Sequence, residues 1–413
     1  MHIELRQMRL DFPPKHTETI GAVKIHSLQK IYEIDSGYSK NSKRHTSNNS
    51  TIAFDNRKLA RKYTDMAIVI PVKNEKLSLL EGVLSGIPNE CLIIIVSNSQ
   101  RTPVDRYAME VEMVKQFSQF SNKKISIIHQ RDPNLSRIFH KLNYTSILDQ
   151  HSQVRRGKAE GMVIGILLAK IQGKKHVGFI DSDNYFPGAV NEYVKIFASG
   201  FVMAESHLSN IRVCWRSKPK IANNKVYFPR WGRVSEHSNK YLNDLISYIT
   251  GYETDIITTG NAGEHALSMP LAENMEFASG YSVEPYELIN ILENFGGIIK
   301  GSEGIYNDNV EIFQIETRNP HFHEDKGDDH VTNMLQESLS AINNSKICNT
   351  DITRDIKNHL LVLQQKTNQL NSRINGSANN HIMDPINKIP IDKFNELVID
   401  SPKLLQLFNT SET

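Results

Sequence analysis

Asp181 and Asp183, two carboxylates one residue apart in the run Phe179 to Asn184, are the sharpest chemical feature of the sequence. They follow a short apolar stretch, so a buried strand would carry both to a sheet end, where they can share one cation. Mg²⁺ favours one or two carboxylates, with phosphate oxygens and water completing its shell. An acidic turn of Asp181, Ser182 and Asp183 therefore suits an ion that neutralises a diphosphate leaving group. A solvated acidic turn is the plainer reading of the same tripeptide, and its place at the end of a buried strand decides against it.

Four further segments carry candidate chemistry. Pro71 to Glu75 follows the first apolar run; a proline there should end the strand and expose Lys73 and Glu75 over a crevice. Arg155 to Gly161 places basic side chains and glycines at a helix start, an arrangement suited to anions. Arg230 to Ser235 offers a close backbone approach at Gly232, a forked donor at Arg233 and a hydroxyl at Ser235. In Arg318 to Lys326, His321 and His323 share one side of an extended segment, so one or both imidazoles could reach a metal.

These residues need elements to position them. Met66 to Ile70, Cys91 to Val96, Ile125 to His129 and His176 to Ile180 read as strands buried on both faces. Leu77 to Leu84, Val104 to Phe120 and Lys158 to Ile171 read as helices between them. Such alternation implies βαβ units and a mostly parallel sheet, with ligands at the carboxyl ends of its strands. Those ends are Pro71 to Glu75, Ser97 to Ser99, Gln130 to Asp132 and Asp181 to Asn184, all polar. Beyond Pro187 the pattern is less regular. Strands are expected at Ile211 to Trp215, Lys225 to Phe228 and Val310 to Ile315, and helices at Asn239 to Thr250, Val283 to Phe295, Asp329 to Ile342 and Asp355 to Leu370. The division expected is an N-terminal extension at 1–60 with a polar loop at 36–51, an α/β part at 61–190, a smaller part at 191–345 and a helical tail at 346–413.

Bulk properties narrow the function classes. The 48 Lys and Arg balance 46 Asp and Glu, which gives no electrostatic case for a nucleic-acid partner. No apolar run approaches the ~18 residues of a membrane span, and Met1 to Leu10 lacks a signal-peptide core. Cys91, Cys214 and Cys348, odd in number and far apart, suit reduced thiols. A soluble, cytoplasmic protein is expected.

Taken together, these segments resemble the mannosyl-3-phosphoglycerate synthase family, retaining glycosyltransferases of the GT-A fold. The resemblance runs from Asp11-Phe12-Pro13 and His16-Thr17-Glu18 through Ile34 to Gly37, the Pro71 turn and Gly157 to Met162. It continues through the Asp181 turn, Gly260 to Glu264, Ser279 to Glu284 and Arg318 to Glu324, covering about residues 8 to 345. It implies a GT-A core with a smaller acceptor-binding part and a helical appendage. It also implies transfer of mannose from GDP-mannose to the 2-hydroxyl of 3-phosphoglycerate, with retention, and a divalent cofactor, Mg²⁺ or Mn²⁺.

By the resemblance Asp183 and His321 ligate the metal beside Asp181, and Lys158 helps at a phosphate. Pro71, Lys73, Glu75, Ser97, Gln130 and Ser182 join the donor site. Gly232, Arg233, Val234, Ser235 and His323 face the acceptor, and Glu264 orients sugar hydroxyls or, in a double displacement, attacks. Front-face attack by the acceptor hydroxyl is the favoured course, and a homodimer is the expected assembly. A glucosyl-3-phosphoglycerate synthase using UDP- or GDP-glucose and a non-catalytic nucleotide-sugar sensor are the alternatives. A nucleotidyltransferase would want a glycine-rich loop after the first strand, and Pro71 to Glu75 lacks one.

Overall fold

The computed structural model describes residues 9–11, 14–28, 32–34, 56–184, 186–215, 217–222, 225–229, 232–299, 309–322, 328–368 and 381–408. The expected polar loop at 36–51 lies outside them.

Ten strands make one sheet: β1 (Pro14–Ile20), β2 (Val23–Leu28), β3 (Met66–Val72), β4 (Leu92–Ser97), β5 (Ile125–His129), β6 (His176–Phe179), β7 (Leu208–Cys214), β8 (His265–Ser268), β9 (Val310–Glu316) and β10 (Leu405–Phe408). Their order is β10-β5-β4-β3-β6-β8-β7-β9-β2-β1. The block β5-β4-β3-β6 is parallel throughout, and β7-β9-β2 is a second parallel block. β8 joins the two by running antiparallel to both β6 and β7. The helices are α1 (Asn56–Thr64), α2 (Leu77–Gly86), α3 (Arg106–Ser121), α4 (Pro133–Lys141), α5 (Lys158–Ile171), α6 (Pro187–Met203), α7 (Arg233–Thr250), α8 (Met269–Asn274), α9 (Val283–Phe295), α10 (Asp328–Asn343), α11 (Thr350–Asn368) and α12 (Ile391–Ile399).

The continuous apolar strands are explained by helices on both faces. In β3, Ala67 and Val69 enter one core with α5, α7, α9 and α10, while Met66, Ile68 and Ile70 enter another with α1, α2, α3 and α6. Alternate residues of one strand thus fill opposite layers, which is why no polar position interrupts the run. Packing is closest where α5 crosses β3, for a Cβ at Gly165 would lie 2.4 Å from Val69 Cγ1. Any side chain there would force the helix off the strand.

Four features differ from the sequence expectation. Pro71 does not end its strand: it pairs in register with Val96, and Val72 with Ser97. α6 is a full helix where the pattern looked irregular, because ten of its residues are buried and Gly and Ser positions interrupt its apolar spacing. β8 went unseen because its polar His265 and Ser268 are buried and satisfied internally. The C-terminal segment, expected as a helical appendage, also supplies β10, which pairs antiparallel with β5.

At the amino end of β6, His176 stacks on Phe201 at 4.0 Å and its Nε2 lies 3.3 Å from Lys62 Nζ. Burial, aided by the Lys62 charge, pushes this imidazole down to about 3. Between that value and the ordinary 6.5 of an unfolded histidine, the unfolded chain binds a proton that the native one refuses. This contribution to stability is therefore whole above pH 6.5 and lost progressively as pH falls toward 3. Urea midpoints measured from pH 7 to pH 4 should fall more steeply for the wild type than for His176→Gln.

Candidate active site

The acidic turn sits where β6 leaves the middle of the sheet; Ile180 still bonds through its amide to Val69 O at 3.1 Å. Asp181 then meets Lys158, the first residue of α5, whose Nζ lies 2.6 Å from Asp181 Oδ1 and 2.8 Å from Glu284 Oε1. Burial disfavours the Lys158 ammonium, but the two carboxylates outweigh it and hold its pKa well above the ordinary lysine value. Lys158, expected by resemblance to assist at a phosphate, here ties the start of α5 to the turn after β6 and to α9.

Asp183 is buried, with Asn184 behind it. The Asn184 amide donates to Asp181 O and to Glu264 Oε1, both at 2.9 Å. Glu264, immediately before β8, is fully buried. Burial first, and then the nearby Asp181 and Asp183, raise its pKa; the Asn184 hydrogen bond and Lys158 act in the other direction. The turn and Glu264 thus form one acidic centre drawn from two antiparallel neighbours. Gly263 is required beside it, since a Cβ there would stand 2.3 Å from Asp181 Oδ2.

The expected donor wall divides into an exposed part and its support. Lys73 is exposed and Pro71 half-buried, whereas Glu75 is buried, not displayed over the crevice as the sequence suggested. The Glu75 carbonyl accepts from Arg106 Nη2 at 2.6 Å, which folds the turn back on α3. The Ser97 hydroxyl donates to Glu110 Oε2 at 2.6 Å, and Ser99 to Glu110 Oε1 at 2.5 Å. Gln130 Nε2 donates to the carbonyls of Arg155 and Gly157, at 2.7 and 3.0 Å, and so fixes the loop before α5. Ser97 and Gln130 therefore stand behind the crevice surface as braces. Asp132, read as part of a polar crevice rim, accepts from the Asn134 amide at 2.8 Å and caps α4.

On the opposite side Gly232 precedes α7, with Val234 and Ser235 buried in its first turn. The Arg233 side chain and His323 lie outside the described residues. His321 is buried; its ring lies 4.4 Å from that of Trp215, and its Nδ1 is 3.4 Å from the Tyr193 hydroxyl. Lys218, which sequence reasoning passed over, places its ammonium 4.0 Å from the Trp215 ring centroid, within reach of the fields of Glu264, Asp181 and Asp183. Its signal in the sequence was adjacency, one basic residue three positions beyond a strand-end tryptophan.

A second unforeseen group lies beneath the 259–264 loop. Arg212, fully buried in β7, donates through Nη1 to Glu287 Oε2 at 2.9 Å and through Nη2 to Thr259 O at 2.8 Å. His265 Nδ1 is 3.0 Å from Ala262 O, and its Nε2 is 2.9 Å from Glu287 Oε1. Arg212, Glu287 and His265 hold the loop that presents Glu264.

Does this arrangement suit a cation? Among the described residues no group of three or more His, Cys, Asp and Glu side chains is arranged to hold one. Of the expected ligands, Asp181 is paired with Lys158, and His321 lies against Trp215 and Tyr193. The donor chemistry nonetheless fits a hard ion. Burial, together with the clustered carboxylates, raises the pKa of Glu264, and Glu264 Oε2 and Asn184 Oδ1 are buried oxygens without a hydrogen-bond partner. One or two carboxylates with nucleotide oxygens is the coordination Mg²⁺ prefers.

Residues 13–398 match the family profile described as mannosyl-3-phosphoglycerate synthase. A protein of that name from Pyrococcus furiosus is 46% identical over 403 residues, 96% of this chain and 98% of that protein. Another from Aeropyrum pernix is 37% identical over 355 residues, 86% of this chain and 89% of that protein. Among solved structures, glucosyl-3-phosphoglycerate synthase from Mycobacterium tuberculosis, in complex with Mn²⁺, UDP and phosphoglyceric acid, superposes with a TM-score of 0.46 at 16% identity, covering 71% of this chain and 84% of that one. With a profile spanning nearly all of the sequence and relatives alike over almost their full length, the chain belongs to the mannosyl-3-phosphoglycerate synthase family of glycosyltransferases.

Proposed function

We propose that this protein transfers mannose from GDP-mannose to the 2-hydroxyl of 3-phosphoglycerate with retention, on a GT-A core, using a divalent ion. The reading rests on one observation: the chain matches its named relatives almost end to end, and the acidic turn stands at the carboxyl end of a central strand.

Asp183 is the residue to hold the ion, with Asp181 adjacent and His321 as the further ligand. When bound, the ion supplies positive charge to the departing diphosphate. The side chains do the rest. Lys73 and the Pro71 turn contact the nucleoside over the braces of Ser97 and Gln130, and Ser182 lines the turn. Glu264, fixed by Asn184, orients sugar hydroxyls. Gly232 and the first turn of α7, with Arg233, receive the acceptor. A phosphomonoester and a carboxylate together bring about three negative charges, so cationic side chains must offset their approach to a diphosphate. The hydroxyl attacks from the face the leaving group departs, and its proton passes to the diphosphate. Residues 61–190 serve the donor and 191–345 the acceptor.

The test is a donor-by-acceptor matrix with Mg²⁺. Release of the nucleoside diphosphate should occur with GDP-mannose and 3-phosphoglycerate together and fall at least tenfold when UDP-glucose replaces the donor or glycerate the acceptor. Equal turnover with those substitutes would refute the specificity.

A further inference from the structure

Within the functional reading above, on which this inference rests, two lysines beside the acidic centre have opposite fates. Lys158 is neutralised by Asp181 and Glu284 at 2.6 and 2.8 Å. Lys218, among the described residues, is held by a ring face: its Nζ lies 4.0 Å from the Trp215 centroid. A cation on an aromatic face keeps its N–H groups available to an anion, which a cation between two carboxylates does not.

The surroundings fix which substrate the Lys218 ammonium meets. A Cβ at Gly232 would lie 3.2 Å from Lys218 Nζ and 3.0 Å from its Cδ, so the side chain crosses the entrance to α7, the acceptor wall. The backbone around it is pinned twice, by Lys218 N donating to Pro229 O at 2.9 Å and His321 N donating to Ser217 O at 3.0 Å. Trp215 is shared, with Lys218 on its ring and His321 tilted against it at 4.4 Å. Lys218 thus stands between the acceptor loop and the acidic centre. Burial lowers its pKa, while Glu264, Asp181 and Asp183 act to keep the charge. An arriving anion would favour the charged form further.

We infer that Lys218 is an acceptor-binding residue, its ammonium taking an anionic oxygen of the acceptor's carboxylate or phosphate. The same placement suits Gly232, since a Cβ at that position would press on the lysine side chain.

The experiment compares wild type, Lys218→Met and Lys218→Arg by steady-state kinetics in each substrate, with calorimetric titration of GDP and of 3-phosphoglycerate. Methionine keeps the stem on Trp215 and removes the charge. It should raise KM and Kd for 3-phosphoglycerate about 10–100-fold, the scale of a hydrogen bond to a charged group. Affinity for GDP and KM for GDP-mannose should change less than about threefold, which also shows that the variant folds. Arginine should recover most of the loss. An unchanged acceptor KM, or a loss confined to the donor, would overturn the inference. If the wild type itself neither binds nor mannosylates 3-phosphoglycerate, the functional reading falls, and this inference with it; a wild type that does both while Lys218→Met matches it defeats the lysine assignment alone.

Discussion

Asp183→Ala is expected to lower kcat by about 10³-fold or more while leaving the melting temperature intact or slightly raised. The first half follows from the role of a cation held against a developing diphosphate, where removing a single preorganised electrostatic partner already costs on the order of 10²–10³-fold. The second half follows from charge. Asp183 is buried, and its carboxylate, like that of Asp181, raises the pKa of Glu264. Deleting Asp183 removes one of the charges that oppose the Glu264 carboxylate. Asp181→Ala should behave differently, because it also breaks the 2.6 Å contact with Lys158 and leaves that lysine to Glu284 alone. Measuring kcat and thermal midpoints for both variants separates the two roles. A drop in stability for Asp183→Ala equal to that for Asp181→Ala would mean that the pair is a structural unit.

Glu287→Ala should cost the largest amount of stability of any single change considered. Glu287 is fully buried and joins two partners, Arg212 at 2.9 Å and His265 at 2.9 Å. Removing one member of a buried pair strands the other charge, at about 3–5 kcal/mol. Glu287→Gln, which can still accept from Arg212, should cost clearly less. The comparison is Asp355→Ala, which breaks an ion pair to Lys240 at 3.0 Å between side chains 52% and 59% exposed. Exposed pairs contribute about 0–1 kcal/mol. Urea denaturation of the three variants should show this ranking. Because the Arg212 cluster supports the 259–264 loop, Glu287→Gln should also lower kcat more than Asp355→Ala does. A small stability loss for Glu287→Ala would mean that water reaches the cluster readily.

What the sequence disclosed, and what it hid, follow from how far each signal reaches. The runs Met66 to Ile70, Cys91 to Val96 and Ile125 to His129 announced a parallel block because strands covered on both faces must be apolar at every position. Lys158 to Ile171 and Val283 to Phe295 coincide with α5 and α9 to the residue. β8 escaped because its polar residues find partners only after folding: His265 meets Glu287 across 22 positions, and Ser268 accepts from the Ser209 amide across 59. α6 escaped because its polar stripe is short, Asn191, Glu192 and Lys195, while most of the helix is buried.

The site was legible in the same uneven way. Asp181 and Asp183 could be found because two acids beyond a buried strand are a local pattern. Glu264 entered by resemblance, and the structure brings it to Asn184 by pairing β8 with β6. The burial of Glu75, the bracing roles of Ser97 and Gln130, and the neutralisation of Lys158 all depend on long-range partners: Arg106, Glu110, the 155–157 carbonyls and Glu284. Lys218 had no motif to mark it, and its place is set by Trp215 and Gly232 together.

Electron paramagnetic resonance of Mn²⁺, titrated into the protein with and without GDP, tests the core of this account most directly. Among the described residues, Asp183 and its neighbours offer too few ligands to hold an ion unaided. Mn²⁺ should therefore bind weakly alone, at least tenfold more tightly when GDP is present, and lose that gain in Asp183→Ala. Binding that is indifferent to GDP, or unchanged by the substitution, would contradict a cation shared between this acidic turn and the nucleotide.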